Sequence, residues 1–83
     1  MDPTSIYPAE CHFRIIVAGD FQGEAQLQQV LATAEVTAAL QPGKASSAGK
    51  FRSWQVSARI RDRAEMVRLD RELRAVAGVR MVL

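Results

Sequence analysis

Nine of the eleven cationic residues in this chain are arginines: Arg14, Arg52, Arg59, Arg61, Arg63, Arg68, Arg71, Arg74 and Arg80. A planar guanidinium recognises carboxylate and phosphate bidentately, so their placement decides whether they form a site. Two further clusters bear on anions. Between Lys44 and Arg52 the chain places Ser46, Ser47, Gly49 and Lys50, hydroxyls, glycine and positive charge that suit an anion-binding nest, although the spacing is not that of a Walker loop. The run Gly19-Asp20-Phe21-Gln22-Gly23 reads as the start of a helix, whose unpaired N–H groups and partial positive charge attract a carboxylate. Asp20 also serves as an N-cap there, and Gly23 as a close-packing residue.

Catalytic and metal chemistry find less support. His12 is the sole histidine, and no sequence neighbour frames it as a base beside a nucleophile, so a polar strand residue is expected. Cys11 and His12 are adjacent; in a strand they point to opposite faces, and two ligands are too few for zinc. Cys11 reads as a small core hydrophobe. Glu65, Asp70 and Glu72 lie three or four residues from Arg68 and Arg74, the spacing of a solvated, salt-bridged helix face. The expectation is a protein without catalytic residues, cofactor or metal.

These residues must be held by a small number of elements. Residues 1–10 carry Asp2-Pro3, Thr4-Ser5 and Tyr7-Pro8, turn and extended chemistry that predicts a flexible leader ahead of a domain over 11–83. Cys11, Phe13, Ile15 and Val17 alternate with His12, Arg14, Ile16 and Ala18, a strand with one buried face. After Gly19-Asp20, the positions Gly23, Leu27, Val30, Leu31 and Ala34 recur at helical spacing and predict a helix to about Ala34. Val36, Ala38 and Leu40 alternate as a second strand. From Lys50 to Arg61, Trp54, Val56, Ala58 and Ile60 form one face of a third strand, with Ser53, Gln55, Ser57, Arg59 and Arg61 on the other. Asp62 and Glu65 have capping-box spacing, and Met66, Leu69, Leu73 and Val76 mark a second helix. Gly78 fits a left-handed C′ position, and Val79 to Leu83 makes a final strand.

The order is βαββαβ. The predicted fold class is α+β: a ferredoxin-like plait, with a four-stranded antiparallel sheet and two helices on one face. Its other face is open, and on it the alternation places Arg14, Ile16, Ser57, Arg59, Arg61, Arg80 and Val82. That surface is basic with apolar insets. It suits a protein partner or a second copy docking through Ile16, Val82 and Ala39, with arginines at the rim. Nucleic-acid binding through Arg14, Arg59, Arg61 and Arg80 is the alternative, weakened because Phe51 is the only aromatic available for base stacking.

Composition sets the frame. At 83 residues with 48% apolar content the chain supports one core. Its charge surplus is only two, which neutralises few phosphates, and its lone cysteine excludes an internal disulfide. No apolar run approaches the length of a transmembrane helix and residues 1–10 lack signal-peptide character, so a cytoplasmic location and no membrane partner are expected.

Several runs are more specific than plait chemistry requires. Tyr7-Pro8, Phe13 to Gly19, Ser46-Ser47-Ala48-Gly49-Lys50-Phe51, Val56-Ser57 and Val79-Arg80-Met81-Val82-Leu83 resemble the YbeD-like family of small bacterial proteins. The resemblance spans Tyr7 to Leu83. It implies a ferredoxin-like fold similar to amino-acid-binding ACT regulatory domains, no assigned activity, and regulatory roles that include one near lipoate metabolism. ACT domains carry Asp-x-x-Gly at the first strand-to-helix turn, where backbone amides meet an effector; the matching positions are Asp20 and Gly23, with Gly19 before them. The expected function is a non-enzymatic regulatory module that binds a small anionic effector or a protein partner.

Overall fold

The computed structural model describes residues 7–44 and 49–83. Of the leader expected over residues 1–10, residues 1–6 lie outside the described residues, as do the loop positions Ser46 and Ser47, while Ala9 and Glu10 already belong to the first strand, where they pair with Ile60 and Arg59. The element order is β1 (Ala9–Ala18), α1 (Glu24–Leu31), β2 (Glu35–Pro42), β3 (Phe51–Ile60), α2 (Arg63–Arg74) and β4 (Val79–Val82). The strands form one sheet in the order β2-β3-β1-β4, with every neighbouring pair antiparallel. The predicted plait is the observed one.

The period-two strand pattern builds the core directly. β1 and β3 pair from Ala9↔Ile60 to Ala18↔Phe51 without a break. Phe13, Ile15 and Val17 therefore share a face with Trp54, Val56, Ala58 and Ile60, and all seven are buried. Leu27 and Leu31 of α1 and Leu69 and Leu73 of α2 close over that face in a single apolar cluster. Asp62 caps α2 as predicted, accepting a hydrogen bond from the Glu65 amide at 2.8 Å.

Other expectations are corrected. Asp20 does not cap α1: the helix starts at Glu24 with Gly23 at the N-cap and no side-chain capping bond, and it ends at Leu31 rather than near Ala34. β2 does not alternate simply. Its pairing with β3 shifts between Val36 and Ala38 and again between Ala38 and Gln41, so Val36 stands across from Ala58 on the helix side while Ala38 stands across from Ser57 on the open side. Only Leu40 of β2 is buried. Ser53, expected on a polar face, is buried because its hydroxyl donates to the Lys44 carbonyl at 3.0 Å. Gly78 does have positive φ, +91°, but it lies beyond the Ala75 C-cap in the turn that enters β4.

The core predicts a contrast within one helix. Leu69 is fully buried and Val67 is 47% exposed. Leu69→Ala is expected to cost about 2–5 kcal/mol in urea unfolding, and Val67→Ala less than about 0.5 kcal/mol.

Candidate functional site

Two loops that the sequence separates by some thirty residues meet in space. The Gly19 amide donates to the Lys50 carbonyl at 2.8 Å. Gly19 lies so close to the Gly49 carbonyl that a side chain on it would collide with that backbone. The candidate residues Gly19, Gly49 and Lys50 therefore form one corner of the molecule, beyond the end of β1, and Gly49 sits at φ +69° where glycine is favoured.

That corner is already largely occupied. The amide of Phe21 donates to the Ala18 carbonyl at 3.0 Å, and the Ala18 amide to the Gly78 carbonyl at 2.9 Å. The Phe21 ring, buried, lies against both Gly23 and Gly78: a Cβ at Gly23 would come within 2.6 Å of the ring, and one at Gly78 within 2.8 Å. Gly23 is accounted for by this packing. Asp20 is exposed in the turn. The role of Phe21 as the wedge between two turns was not visible in the sequence, where it looked like one apolar residue in a polar loop.

The second candidate surface is the uncovered face of the sheet. Register places Arg14, Ile16 and Arg59 there as expected. Val82 is not there: it pairs with Ile15, points into the core and is buried. The cause is an irregularity in the β1–β4 pairing, where Ile15↔Val82 and Ile16↔Met81 are followed by Val17↔Val79. The extra residue, Arg80, is exposed at the bulge, and Met81, 47% exposed, takes the place on the open face that alternation had given to Val82. On β2, Ala38 rather than Ala39 stands across from Ser57.

Arg61 is also lost from the open face, because β3 ends at Ile60 and Arg61 turns to Glu65. The Glu65 carboxylate is buried. It accepts from the Arg61 amide at 2.9 Å and from the Arg61 guanidinium at 2.8 and 3.3 Å. Glu65 thus reaches back to the residue before the N-cap, and it is not part of a solvated face; Arg68–Glu72 and Arg74–Asp70 do form the expected exposed pairs at 2.8 and 2.9 Å. The bond from the Arg61 amide, then those from its guanidinium, hold the Glu65 carboxyl below its ordinary value against the opposing effect of burial. Burial pushes the Cys11 thiol up, as fits a part-buried cysteine packed on the core.

The open face can now be read in rows across the sheet. Glu35, Arg59 and Glu10 form one end. Ala38, Ser57 and His12 come next, then Gln41, Gln55 and Arg14, with Leu83 joined to Arg14 by two main-chain bonds. Ser53, Ile16 and Met81 follow, and Phe51 with Ala18 closes the other end. The result is a face with a charged end, a polar middle and an apolar end, where Phe51 is 46% exposed.

His12 has the partner that sequence could not show. Its Nδ1 lies 2.6 Å from the Ser57 hydroxyl, and its Nε2 lies 3.7 Å from Glu10. The arrangement resembles a relay in connectivity alone. The imidazole side chain is 74% exposed, and the strand beneath it is committed to the β1–β3 ladder. Among the described residues, no three His, Cys, Asp or Glu side chains converge to hold a metal, and no helix is long and apolar enough to cross a membrane.

A βαββαβ chain with this strand order and two helices belongs by its fold to the class of small ferredoxin-like, ACT-like domains. The match to a family model over residues 2–83 then places it: the chain belongs to the family described as protein of unknown function (DUF493). No curated protein matches it. Among solved structures it is similar to the protein HP0495 from Helicobacter pylori, with 24% identity, a TM-score of 0.81, and coverage of 99% of this chain and 88% of that one. A second solution structure of HP0495 gives 24% identity and a TM-score of 0.67, covering 100% of this chain and 94% of that one. The ACT domain from GTP pyrophosphokinase of Chlorobium tepidum is similar at 17% identity and a TM-score of 0.70, over 89% of this chain and 94% of that domain. These likenesses establish the fold.

Two predictions follow from the corners of the sheet. Gly19→Ala must push the β1–α1 turn off the Gly49 carbonyl and is expected to destabilise the domain by about 1–3 kcal/mol in urea unfolding. At the opposite end, Glu65 has a lowered folded-state pKa, so its contribution is complete above the ordinary carboxylate value near pH ~4.3 and is lost as pH falls through the lowered one. Glu65→Gln is expected to cost about 1–3 kcal/mol at neutral pH, with the gap from wild type narrowing below pH ~4; a constant gap down to the acid limit would refute the ionic origin.

Proposed function

We propose that this domain is a non-enzymatic regulatory or adaptor module that recognises a protein partner through the open face of its sheet. The observation that carries the reading is the apolar end of that face, where the half-buried Ile16 and the exposed Met81 lie side by side on neighbouring strands, on the side of the sheet away from both helices. An uncovered apolar cluster with a polar surround is the usual form of a docking surface. Arg14 borders the cluster, and the exposed Arg80 stands beside Met81 at the bulge. The ACT-like fold supports a regulatory class, and the YbeD-like resemblance goes with it. We place the module in the cytoplasm, where Cys11 stays a free thiol.

The geometry favours a protein over the other partners considered. For a small anionic effector at Gly19, Asp20, Gly23, Gly49 and Lys50, the amides of Ala18, Gly19 and Phe21 are already bonded within the chain and the Phe21 ring fills the space between Gly23 and Gly78. For nucleic acid, the arginines do not make a continuous stripe: Arg59 has Glu10 and Glu35 as cross-strand neighbours, and Arg61 is held by Glu65.

Site-specific photo-crosslinking tests this directly. A benzophenone side chain at position 16 is expected to give a discrete protein adduct that Met81→Glu abolishes, whereas the same group at the exposed position 67 on α2 gives none. Adducts from position 67 alone, or amide shifts confined to Gly19–Gly23 on adding amino acids or small carboxylates, would move the binding site off the sheet.

A further inference from the structure

The docking face carries a cation whose counter-charge the chain does not supply, and we propose that the partner protein's contact segment is acidic and apolar, with a carboxylate on Arg14 and an apolar side chain on the Ile16–Met81 pair. This names the partner chemistry of the docking reading above and rests on it. Other arginines of the fold show the contrast. Arg61 is paired with Glu65, Arg68 with Glu72 and Arg74 with Asp70. Arg59 has Glu10 and Glu35 directly across from it on β1 and β2. Arg14 has no such neighbour. Its cross-strand partners are Gln55 on β3 and Leu83 just past β4, and the positions before and after it on the same face of β1 are His12 and Ile16.

Among the described residues, the acids of the open face are Glu10 and Glu35, both in the row of Arg59. Glu10 stands four residues from Arg14 on one strand, about 13 Å of backbone at about 3.3 Å per residue. Exposed charges that far apart are largely screened at physiological salt. The nearer surroundings of Arg14 supply donors. A shallow groove of about 250 Å³ runs over His12, Arg14, Gln55 and Ser57, and no acid lines it. The guanidinium presents a planar fork that binds a carboxylate bidentately, and the Gln55 amide has two N–H groups to give. The His12–Ser57 bond also leaves one polar hydrogen over: that on Nε2 when the hydroxyl donates to Nδ1, or that of the hydroxyl when the ring donates. A carboxylate entering the groove therefore meets donors from both central strands.

The apolar half of the site is the adjoining row. Met81 lies across from the half-buried Ile16, and Leu83, 62% exposed, lies across from Arg14. Arg14 and Ile16 are two residues apart on one strand, about 7 Å. Side chains two apart in an extended segment, or four apart on a helix, have comparable spacing, so one short segment reaches both. Burial of its apolar residue supplies the attraction, and the charge pair sets its orientation and rejects basic competitors. A nucleic-acid strand suits the face less well. Its successive phosphates would lie over Ile16 and Met81 on one side of Arg14, or run towards Glu10 and Glu35 on the other.

The test is selection from a random peptide library displayed on phage, with the whole domain as bait, followed by titration of the enriched peptide in synthetic form. Wild type is expected to enrich segments that join Asp or Glu to a large apolar residue two to four positions away. Arg14→Glu is expected to enrich Lys or Arg in place of the acid. With the synthetic acidic peptide, Arg14→Gln is expected to raise the dissociation constant about tenfold. Gln55→Glu is expected to do the same, because it places beside Arg14 the acid that the chain lacks. Both side chains are exposed, and the amide spectrum of each variant checks that the fold is kept. Neutral or basic segments enriched by wild type, no enrichment at all, or an acidic preference that survives Arg14→Glu overturns the proposal, and so does an oligonucleotide bound through Arg14 in place of a peptide. If adducts from position 16 reach a protein and are indifferent to Arg14→Glu, the acidic partner fails and the docking reading stands. Absence of both adducts and peptides removes the two together.

Discussion

The structure depends on the unbroken antiparallel register between β1 and β3. Ten consecutive pairs, Ala9↔Ile60 to Ala18↔Phe51, fix which half of each strand faces the helices. A slip of one residue would turn Phe13, Ile15, Val17, Trp54 and Val56 to the open side together, so the hydrophobic effect enforces the register over its whole length. With β2 outside β3 and β4 outside β1, both helices cross above the same pair of central strands and bury one face. Among the described residues, no helix or further strand packs over the other. The open face is therefore a consequence of the same constraint that makes the core.

The covered side is locked at both ends. At one end, Phe21 is wedged between the glycines of two turns, and Gly19 rests against the Gly49 carbonyl. At the other, the buried Glu65 carboxylate holds both the amide and the guanidinium of Arg61 where β3 gives way to α2. Arg74 adds a tie from α2 to the Val82 carbonyl at 3.0 Å. Since these turns spend their polar groups internally, the chemistry left for recognition among the described residues lies on the sheet: the Glu10–Arg59 row, the His12–Ser57 pair and the Ile16–Met81 pair.

What the sequence made legible was what period alone determines. β1 and β3 are long, regular and paired on the register that their alternation implies, and α2 announces itself through Asp62 and the three-and-four spacing of Leu69 and Leu73. The open-face positions of Arg14, Ile16 and Arg59 were readable for that reason. The misplaced residues all sit where a local event breaks the period. A bulge at Arg80 reversed Met81 and Val82, two pairing shifts scrambled the faces of β2, and the end of β3 at Ile60 released Arg61 to Glu65. Such events depend on three-dimensional partners: Phe21 for the turn at Gly78, and the Arg61 amide for the burial of Glu65. Nothing in the spacing of their own residues reports them.

The central claim is that the open sheet face is the surface on which this domain is recognised, with its apolar end as the anchor. The most direct measurement is the accessibility of the Ile16 and Met81 methyl groups to a soluble paramagnetic agent as cell extract is added, with the exposed Val67 methyls on α2 as reference. Progressive protection of Ile16 and Met81 while Val67 stays accessible is the predicted result. Ile16 and Met81 methyls whose accessibility does not change as the extract is added would contradict the account.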